Sequence, residues 1–341
     1  MQTGIFRVYC YLVDYVKFCL EGNGKNKGGT MAFYDSTNSH LYSVYFAPRG
    51  SVRMFELGAQ IAQQHLSPFD HIIGILGESG AGKSMLIKGM FPGLELTNDD
   101  AGVNVRPLPL LSIDEENIFY TPHTYHVDVR FEMGFTQPGV LADAVMEAKR
   151  RDRRVVVEHY ELLYPYMQEK ADLLVGVGEE IIVTRPTIFG PTPDEIHKIV
   201  YESIRYRQMA HTAEDLTERY LTDQDMARAE HGDIKKGFLL IFPGEQPPNI
   251  NVDLVERAVK EDIAKDMPID YVDASHVSIG GETRFCTGPR THVKTTGMIE
   301  NFRLIKPLIH DTEHNRWILA GRVCAPDDGG DSLASINNTE I

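Results

Sequence analysis

The stretch GILGESGAGKSMLIKG, residues 74 to 89, constrains the fold more than any other part of this chain. An apolar run, HIIGIL (71–76), leads into a glycine-rich loop, and KSMLIKGMF (83–91) continues as a helix. Gly77, four residues, then Gly82, Lys83 and Ser84 satisfy the pattern G-x-x-x-x-G-K-S/T in the strand, loop and helix order that the pattern requires. Glycines let successive backbone N–H groups turn inward around an anion, and the positive end of the following helix adds to the attraction. The spacing predicts a phosphate-binding loop built from Gly77, Ser79, Gly80, Ala81, Gly82, Lys83, Ser84 and Met85. Lys83 would reach the β and γ oxygens of ATP, and the Ser84 hydroxyl would bind Mg²⁺.

Such a loop needs a sheet behind it, and the flanking sequence supplies one. SVYFAP reads as a short strand, and SVRMFELGAQIAQQHL (51–66) places Met54, Leu57, Ile61 and Leu66 at near-helical spacing. LELT (94–97) reads as a strand running into Asp99 and Asp100, and TYHVDVRF (124–131) as another. GVLADAVMEAKR has one apolar helical face, RVVVE is a β-branched strand ending at Glu158, and ADLLVGVGEEIIVTRP is a strand pair. This alternation predicts an α/β P-loop domain over residues 40–192, a mostly parallel sheet with helices on both faces.

Phosphoryl transfer also needs a carboxylate near the metal and a base at the acceptor hydroxyl. Glu158 is the candidate for the metal-side acid, and Asp99 or Asp100 for the base. The layout resembles small-molecule P-loop kinases of the uridine kinase and phosphoribulokinase type. No N-K-x-D motif selects guanine, so ATP is taken as the nucleotide. His123, His126 and His159 lack the spacing of metal ligands and are assigned no role.

A length of 341 residues predicts two folding units, and 42% hydrophobic against 24% charged residues is a packed, ordered composition. The formal net charge of -15 disfavours broad nucleic-acid coating, DNA included. Any tRNA contact would have to use local features such as KRRDRR (149–154) or Arg205 and Arg207. Cys10, Cys19, Cys286 and Cys324 show no paired short spacing, so neither a disulfide framework nor a four-thiolate zinc site is expected, and the cytoplasm fits best. GIFRVYCYLVDYVKFCL, near the start, carries Arg7, Asp14 and Lys17, too many charges for a membrane span. It belongs to an N-terminal extension, residues 1–39, in which the flexible EGNGKNKGGTM leads to Met31 as an alternative start.

Beyond residue 192 the pattern changes to a smaller α+β module, 193–323, followed by a polar, glycine-rich tail, 324–341. Thr192, Pro193 and Glu195 form a helix start with a capping box. Downstream, VSIGGETRFCTGPRTHVKTTGMIENFRLIK (277–306) resembles the second additional domain of alanyl-tRNA synthetases and of stand-alone alanyl-tRNA editing proteins. The resemblance lies in VSIGG, Cys286, His292, TTG and ENFRLIK, and upstream in HTAEDL (211–216), and it covers residues 205–323. P-loop and module together look like bacterial proteins described only as alanine-tRNA synthetase second additional domain-containing.

In that family, residues at these positions hold a zinc ion that positions the terminal adenosine of a mischarged tRNA. Carried over, the resemblance implies His211, Asp215, Cys286 and His292 as ligands, with Asp215 in place of the family's second helix histidine. Five residues separate Cys286 from His292 where the family has three. Positions 211 and 215 share a helical face, as chelation requires. Three functions follow as expectations. The first is an ATP- and Mg²⁺-dependent phosphotransferase or NTPase whose module recognises a nucleoside or a tRNA acceptor end. The second is a zinc-dependent trans-editing hydrolase, and the third a non-catalytic, nucleotide-gated binding switch. The departures at the zinc positions favour the first and third.

Overall fold

Six strands make the first sheet: β1 (Ser43–Phe46), β2 (Ile72–Leu76), β3 (Thr124–Asp128), β4 (Arg154–Glu158), β5 (Leu173–Val177) and β6 (Glu180–Thr184), in the order β1-β6-β5-β2-β4-β3. They belong to an α/β fold seen in a computed structural model that describes residues 42–97, 108–112, 123–167 and 169–324, all within one unit, His40–Ile341. The expected N-terminal extension, the acids Asp99 and Asp100, and the tail beyond Cys324 lie outside the described residues.

The pairs β2–β4, β2–β5 and β3–β4 run parallel. β6 returns antiparallel to β5, and β1 lies antiparallel to β6, so the sheet is mixed. The cause is the link between β5 and β6: Gly178 and Glu179 alone cannot make the long crossover that a parallel neighbour demands. β2 and β5 are buried along their whole length, as strands covered on both faces must be. On one face, α1 (Ser51–His65) and α2 (Lys83–Met90) bury Met54, Ile61, Leu86 and Ile87 against Ile73, Ile75, Val156 and Val175. On the other, α3 (Pro138–Arg150) sets Leu141, Val145 and Ala148 against Ile72, Val155 and Val157. Gly89 lets α1 and α2 touch, because a Cβ there would stand 2.0 Å from the Phe55 carbonyl oxygen.

Two expected strands are corrected. Residues 94–96 are irregular, because Thr97 is held by the imidazole of His126 rather than by a strand ladder. The strand expected over 124–131 ends at Asp128, whose carboxylate accepts the Phe131 N–H at 3.1 Å and starts the helical turn Val129–Glu132.

The helix α4 (Pro193–Glu218) begins with the expected capping box between Thr192 and Glu195. Its 26 residues span about 39 Å. The first turns bury Ile196 and Val200 in the core of the large sheet. The last turns bury Met209, Ala213 and Leu216 in a second core with Phe238, Leu240, Val259 and Val277. That second core is covered by β7 (Glu230–Ile234), β8 (Gly237–Pro243), α5 (Val252–Ala264), β9 (Ile269–Asp273), β10 (His276–Ile279), β11 (Glu282–Phe285), β12 (Arg303–Leu304), β13 (Ile309–Asp311) and β14 (Arg316–Arg322). Their sheets run β12-β14-β8-β7, with β13 on β14, and β11-β10-β9. Among the described residues no helix is long and apolar enough to cross a membrane.

The two cores are joined by buried charge. Arg49, 4% exposed, meets Glu214 at 2.9 Å and Asp233 at 3.0 Å, and donates to the Gly232 carbonyl at 2.7 Å. Glu179, in the β5–β6 link, accepts the Lys236 N–H, and its own carbonyl accepts the Ala47 N–H at 3.3 Å. Burial pushes its carboxyl up to about 7. A carboxyl raised on folding stabilises fully below its unfolded value, and that stabilisation is lost as pH rises through its folded value. Gln keeps the accepting oxygen without the charge. Glu179→Gln is therefore expected to raise the melting temperature by several degrees at pH 8, removing a cost on the order of 3 kcal/mol, and to change it little at pH 4.5. A melting difference that stays constant from pH 4.5 to 8 would refute this account.

Candidate functional site

The glycine loop leaves β2 and enters α2 through Gly80 and Gly82, at φ of 79° and 90°. An L side chain resists that left-handed region, so these turns are available to glycine at least cost. Two side chains from the long helix hold the loop from outside, one of them also reaching Pro48. The Tyr201 hydroxyl donates to the Gly77 carbonyl at 3.2 Å, and Arg207 donates to the carbonyls of Ala81 at 2.7 Å and Pro48 at 2.8 Å. Burial, with the charge of Arg49, brings the Arg207 guanidinium down to about 10, which leaves it a cation at neutral pH. Arg207 is thus a brace for the loop, with its charge on main-chain carbonyls. Arg205 lies over the Tyr206 ring. In the basic run, Arg150 and Arg151 pair with Glu147, and Arg154 bonds the carbonyls of Ser67 and Asp70.

Lys83, 6% exposed, donates from Nζ to the Glu78 carbonyl at 3.1 Å and lies 3.8 Å from the Glu158 carboxylate. Glu158 ends β4, in register with Ile75 of β2 on one side and Asp128 of β3 on the other. The Thr97 N–H donates to His126 Nδ1 at 3.1 Å, so that nitrogen is an acceptor and the proton of a neutral ring sits on Nε2. Nε2 lies 3.3 Å from a Glu158 oxygen. Burial alone would raise the Glu158 carboxyl, but the hydrogen bond from His126 and the charges around it hold it below the ordinary carboxylate range. A buried, ionised acid therefore stands beside a buried ammonium. His159 follows in the left-handed region at φ 56°, a strain of about 1–3 kcal/mol of the kind that collects at functional sites.

These groups open onto a cavity of about 620 Å³. Ser79, Gly80, Gly82, Lys83, Ser84 and Met85 line it, facing Asp128, Arg130, Glu158 and His159. Its far wall is Tyr271 and the segment Thr287–Thr291, from the other end of the chain. Among the described residues, five cations, Lys83, Lys88, Arg130, Arg207 and Arg290, line it against two acids, Asp128 and Glu158. In a chain of net charge -15 that local excess among the described residues is of the sign that favours an anion. Arg130 is paired with Glu78 at 3.1 Å, and Glu78 also accepts the Ser79 N–H.

A second constellation lies across that wall. His211, Asp215, Cys286 and His292 place one donor atom each within 4.8 Å of one another. The Cys286 sulfur is 3.2 Å from His211 Nε2 and 3.3 Å from His292 Nε2, and Asp215 Oδ2 is 3.5 Å from His292 Nε2. Four ligands around a tetrahedral zinc, with bonds of about 2.0–2.3 Å, stand about 3.3–3.6 Å apart. The Thr212 hydroxyl gives its proton to the Gln208 carbonyl at 2.9 Å, so at 3.1 Å it accepts from His292 Nδ1–H and leaves the Nε2 lone pair facing Cys286. His211 Nδ1 is buried without a hydrogen bond, 3.6 Å from a Glu214 oxygen, the carboxylate position that orients a metal-bound histidine.

Burial, reinforced by Asp215, pushes the Cys286 thiol up; burial, with Glu218 and Glu214, raises the Asp215 carboxyl. Burial, with the charge of His211, drives the His292 imidazole down. A divalent cation would offset the first two of these costs, and neutral imidazole is the form that binds one, so the donor set fits zinc. Five residues between Cys286 and His292 do not open the cluster, because the Gly288 N–H turns back to the Cys286 sulfur at 3.3 Å. A neighbouring trio, Glu214, Glu218 and His231, already has a cation in Arg49.

The structure thus brings six of the eight expected loop residues and Glu158 around one cavity, Gly77 and Ala81 standing outside its lining, and the four expected donors around one point. Sequence reasoning missed Asp128, Arg130 and His126. Asp128 carried a weaker signal than Glu158, since it stands inside the run read as strand over 124–131 and not at its end.

No protein-family model matches this sequence, and no curated protein matches it. Among solved structures it is similar to YdiB of Bacillus subtilis, at 19% identity over 48% of this chain and 97% of that one, with a TM-score of 0.26. It is also similar to DndA of Streptomyces lividans, at 13% identity over 84% of this chain and 85% of that one, with a TM-score of 0.23. Neither likeness bears on function at those scores.

Proposed function

We propose that this chain is a P-loop protein that binds ATP with Mg²⁺ in the 620 Å³ cavity and acts as a phosphotransferase or NTPase. The observation that carries the reading is the cation-lined cavity over a left-handed glycine loop, with buried Lys83 and ionised Glu158 side by side at its floor. In this reading the loop amides cradle the phosphates and Lys83 turns from the Glu78 carbonyl to the β and γ oxygens. The Ser84 hydroxyl and Glu158 would hold Mg²⁺, Glu158 indirectly. The ion supplies charge neutralisation at the transferring phosphoryl group. His126 fixes the Glu158 carboxylate. Asp128, on the same rim, is a candidate base for the acceptor hydroxyl beside Asp99 and Asp100. The module resembling the alanyl-tRNA synthetase second additional domain would recognise a nucleoside or a tRNA acceptor end.

The test is a thermal melt of the full chain with ATP, GTP or no nucleotide, all with Mg²⁺, followed by product analysis. ATP at 100 times its dissociation constant is expected to stabilise the fold by about 2.7 kcal/mol. If neither triphosphate moves the transition, the reading is wrong.

A second reading, a zinc-dependent hydrolase acting on mischarged alanyl-type tRNA, draws on the four-donor cluster. The 530 Å³ cavity beside that cluster is lined by Glu214, Asp215, Glu218 and Glu230 as well as Arg49 and Arg53. That acidity works against an RNA backbone in either reading, so the first is preferred, with a nucleoside favoured over a tRNA end as the module's ligand.

A further inference from the structure

The two cation donors Cys286 and His292 close the ends of a five-residue connector, Thr287-Gly288-Pro289-Arg290-Thr291, and the same connector packs on the glycine loop. The contacts are close. A Cβ on Gly80 would stand 2.8 Å from the Arg290 carbonyl oxygen, and the Thr291 hydroxyl lies 3.4 Å from the Gly80 carbonyl. The Thr287 carbonyl accepts the Ser51 N–H at 3.3 Å, where α1 begins. Thr287 lines both cavities, so the connector is the partition between them. The Arg290 guanidinium stacks 4.6 Å over the Tyr271 ring, and both side chains line the cavity above the loop.

A segment of five residues pinned at both ends has few conformations, and fixing Cys286 and His292 on one ion removes most of those left. Arginine is suited to the position, since its planar fork meets two phosphate oxygens at once. We propose that Arg290, carried on this connector, grips the polyphosphate of the nucleotide, so that zinc at the four-donor cluster tightens nucleotide binding. The inference rests on the reading of the glycine loop as a nucleotide site. The coupling is reciprocal, because a ligand that tightens a second ligand is tightened by it to the same degree.

The experiment uses the full zinc-loaded chain and a non-hydrolysable ATP analogue with Mg²⁺. Arg290→Ala is expected to weaken analogue binding about tenfold, and Arg290→Lys by less, since it keeps the charge and loses the fork. Zinc release to a chelator is expected to slow several-fold when the analogue is bound to the wild-type protein, and not to slow in Arg290→Ala. This readout starts from folded, loaded protein and needs no metal-free form. Equal analogue affinity in wild type and Arg290→Ala, or zinc release indifferent to the analogue, overturns the connector's role and leaves the loop reading intact. A wild-type protein that binds no analogue removes the loop reading and the connector's role with it.

Discussion

Lys83→Ala is expected to lower ATP affinity by at least about 100-fold and to bring nucleotide turnover to background. The ammonium lies on the cavity floor, 6% exposed, with a carbonyl at 3.1 Å and a carboxylate at 3.8 Å as its near partners. Phosphate oxygens at that point would receive charge-assisted hydrogen bonds worth about 1.5–3 kcal/mol each, and losing two of them accounts for the factor. The fold should survive, because Glu158 keeps the His126 hydrogen bond and the loop keeps its anchors on Arg207 and Tyr201. Titration calorimetry checks the affinity, and a melt checks the fold. An Ala variant that binds ATP within twofold of wild type would show that the ammonium serves only to neutralise Glu158.

What the sequence disclosed of this site follows the range of the interactions involved. The loop was legible because the requirement for glycine at Gly80 and Gly82 is local, as is the helix that starts at Lys83. Glu158 was legible because a β-branched run must stop somewhere, and an acid marks the stop. Asp128 carried only a weak signal, an acid inside the run 124–131, because that run reads on as strand through Phe131 and the capping bond to the Phe131 N–H that ends it is seen only in the fold. His126 became a partner of Glu158 because β3 lies beside β4, an adjacency that period-2 patterning does not encode. Arg207, named with Arg205 as a local cation that a tRNA contact would have to use, is instead buried against two carbonyls from other elements. Residues 287–291 gave no local sign that they would roof a loop about two hundred positions earlier, since that contact depends on how the long helix carries the second core back to the first.

His211→Ala or Cys286→Ala is expected to take zinc from about one ion per chain to nearly none. Loss of one ligand from four forfeits a large share of the roughly 10–16 kcal/mol that a closed tetrahedral site supplies, so the apparent affinity should fall by about a thousandfold or more. The folded chain should melt at a lower temperature, because His211, Cys286 and His292 tie α4 to the segment after β11. The pH dependence distinguishes this buried site from an exposed one. The Cys286 thiol is pushed up by burial and carries a proton that zinc must displace, and the Asp215 carboxyl, also raised, gives up a second wherever it is protonated, whereas the imidazoles are lowered toward the neutral form that binds a cation. Zinc affinity should therefore climb with pH, approaching two decades per unit while both groups are protonated. In Asp215→Asn only the thiol proton is left to displace, and the slope should fall to about one. Metal analysis alongside competition with a chelator at several pH values measures both quantities. Full zinc content in Cys286→Ala, or an affinity that does not change with pH, would mean that these four side chains are packed together for a reason other than a cation.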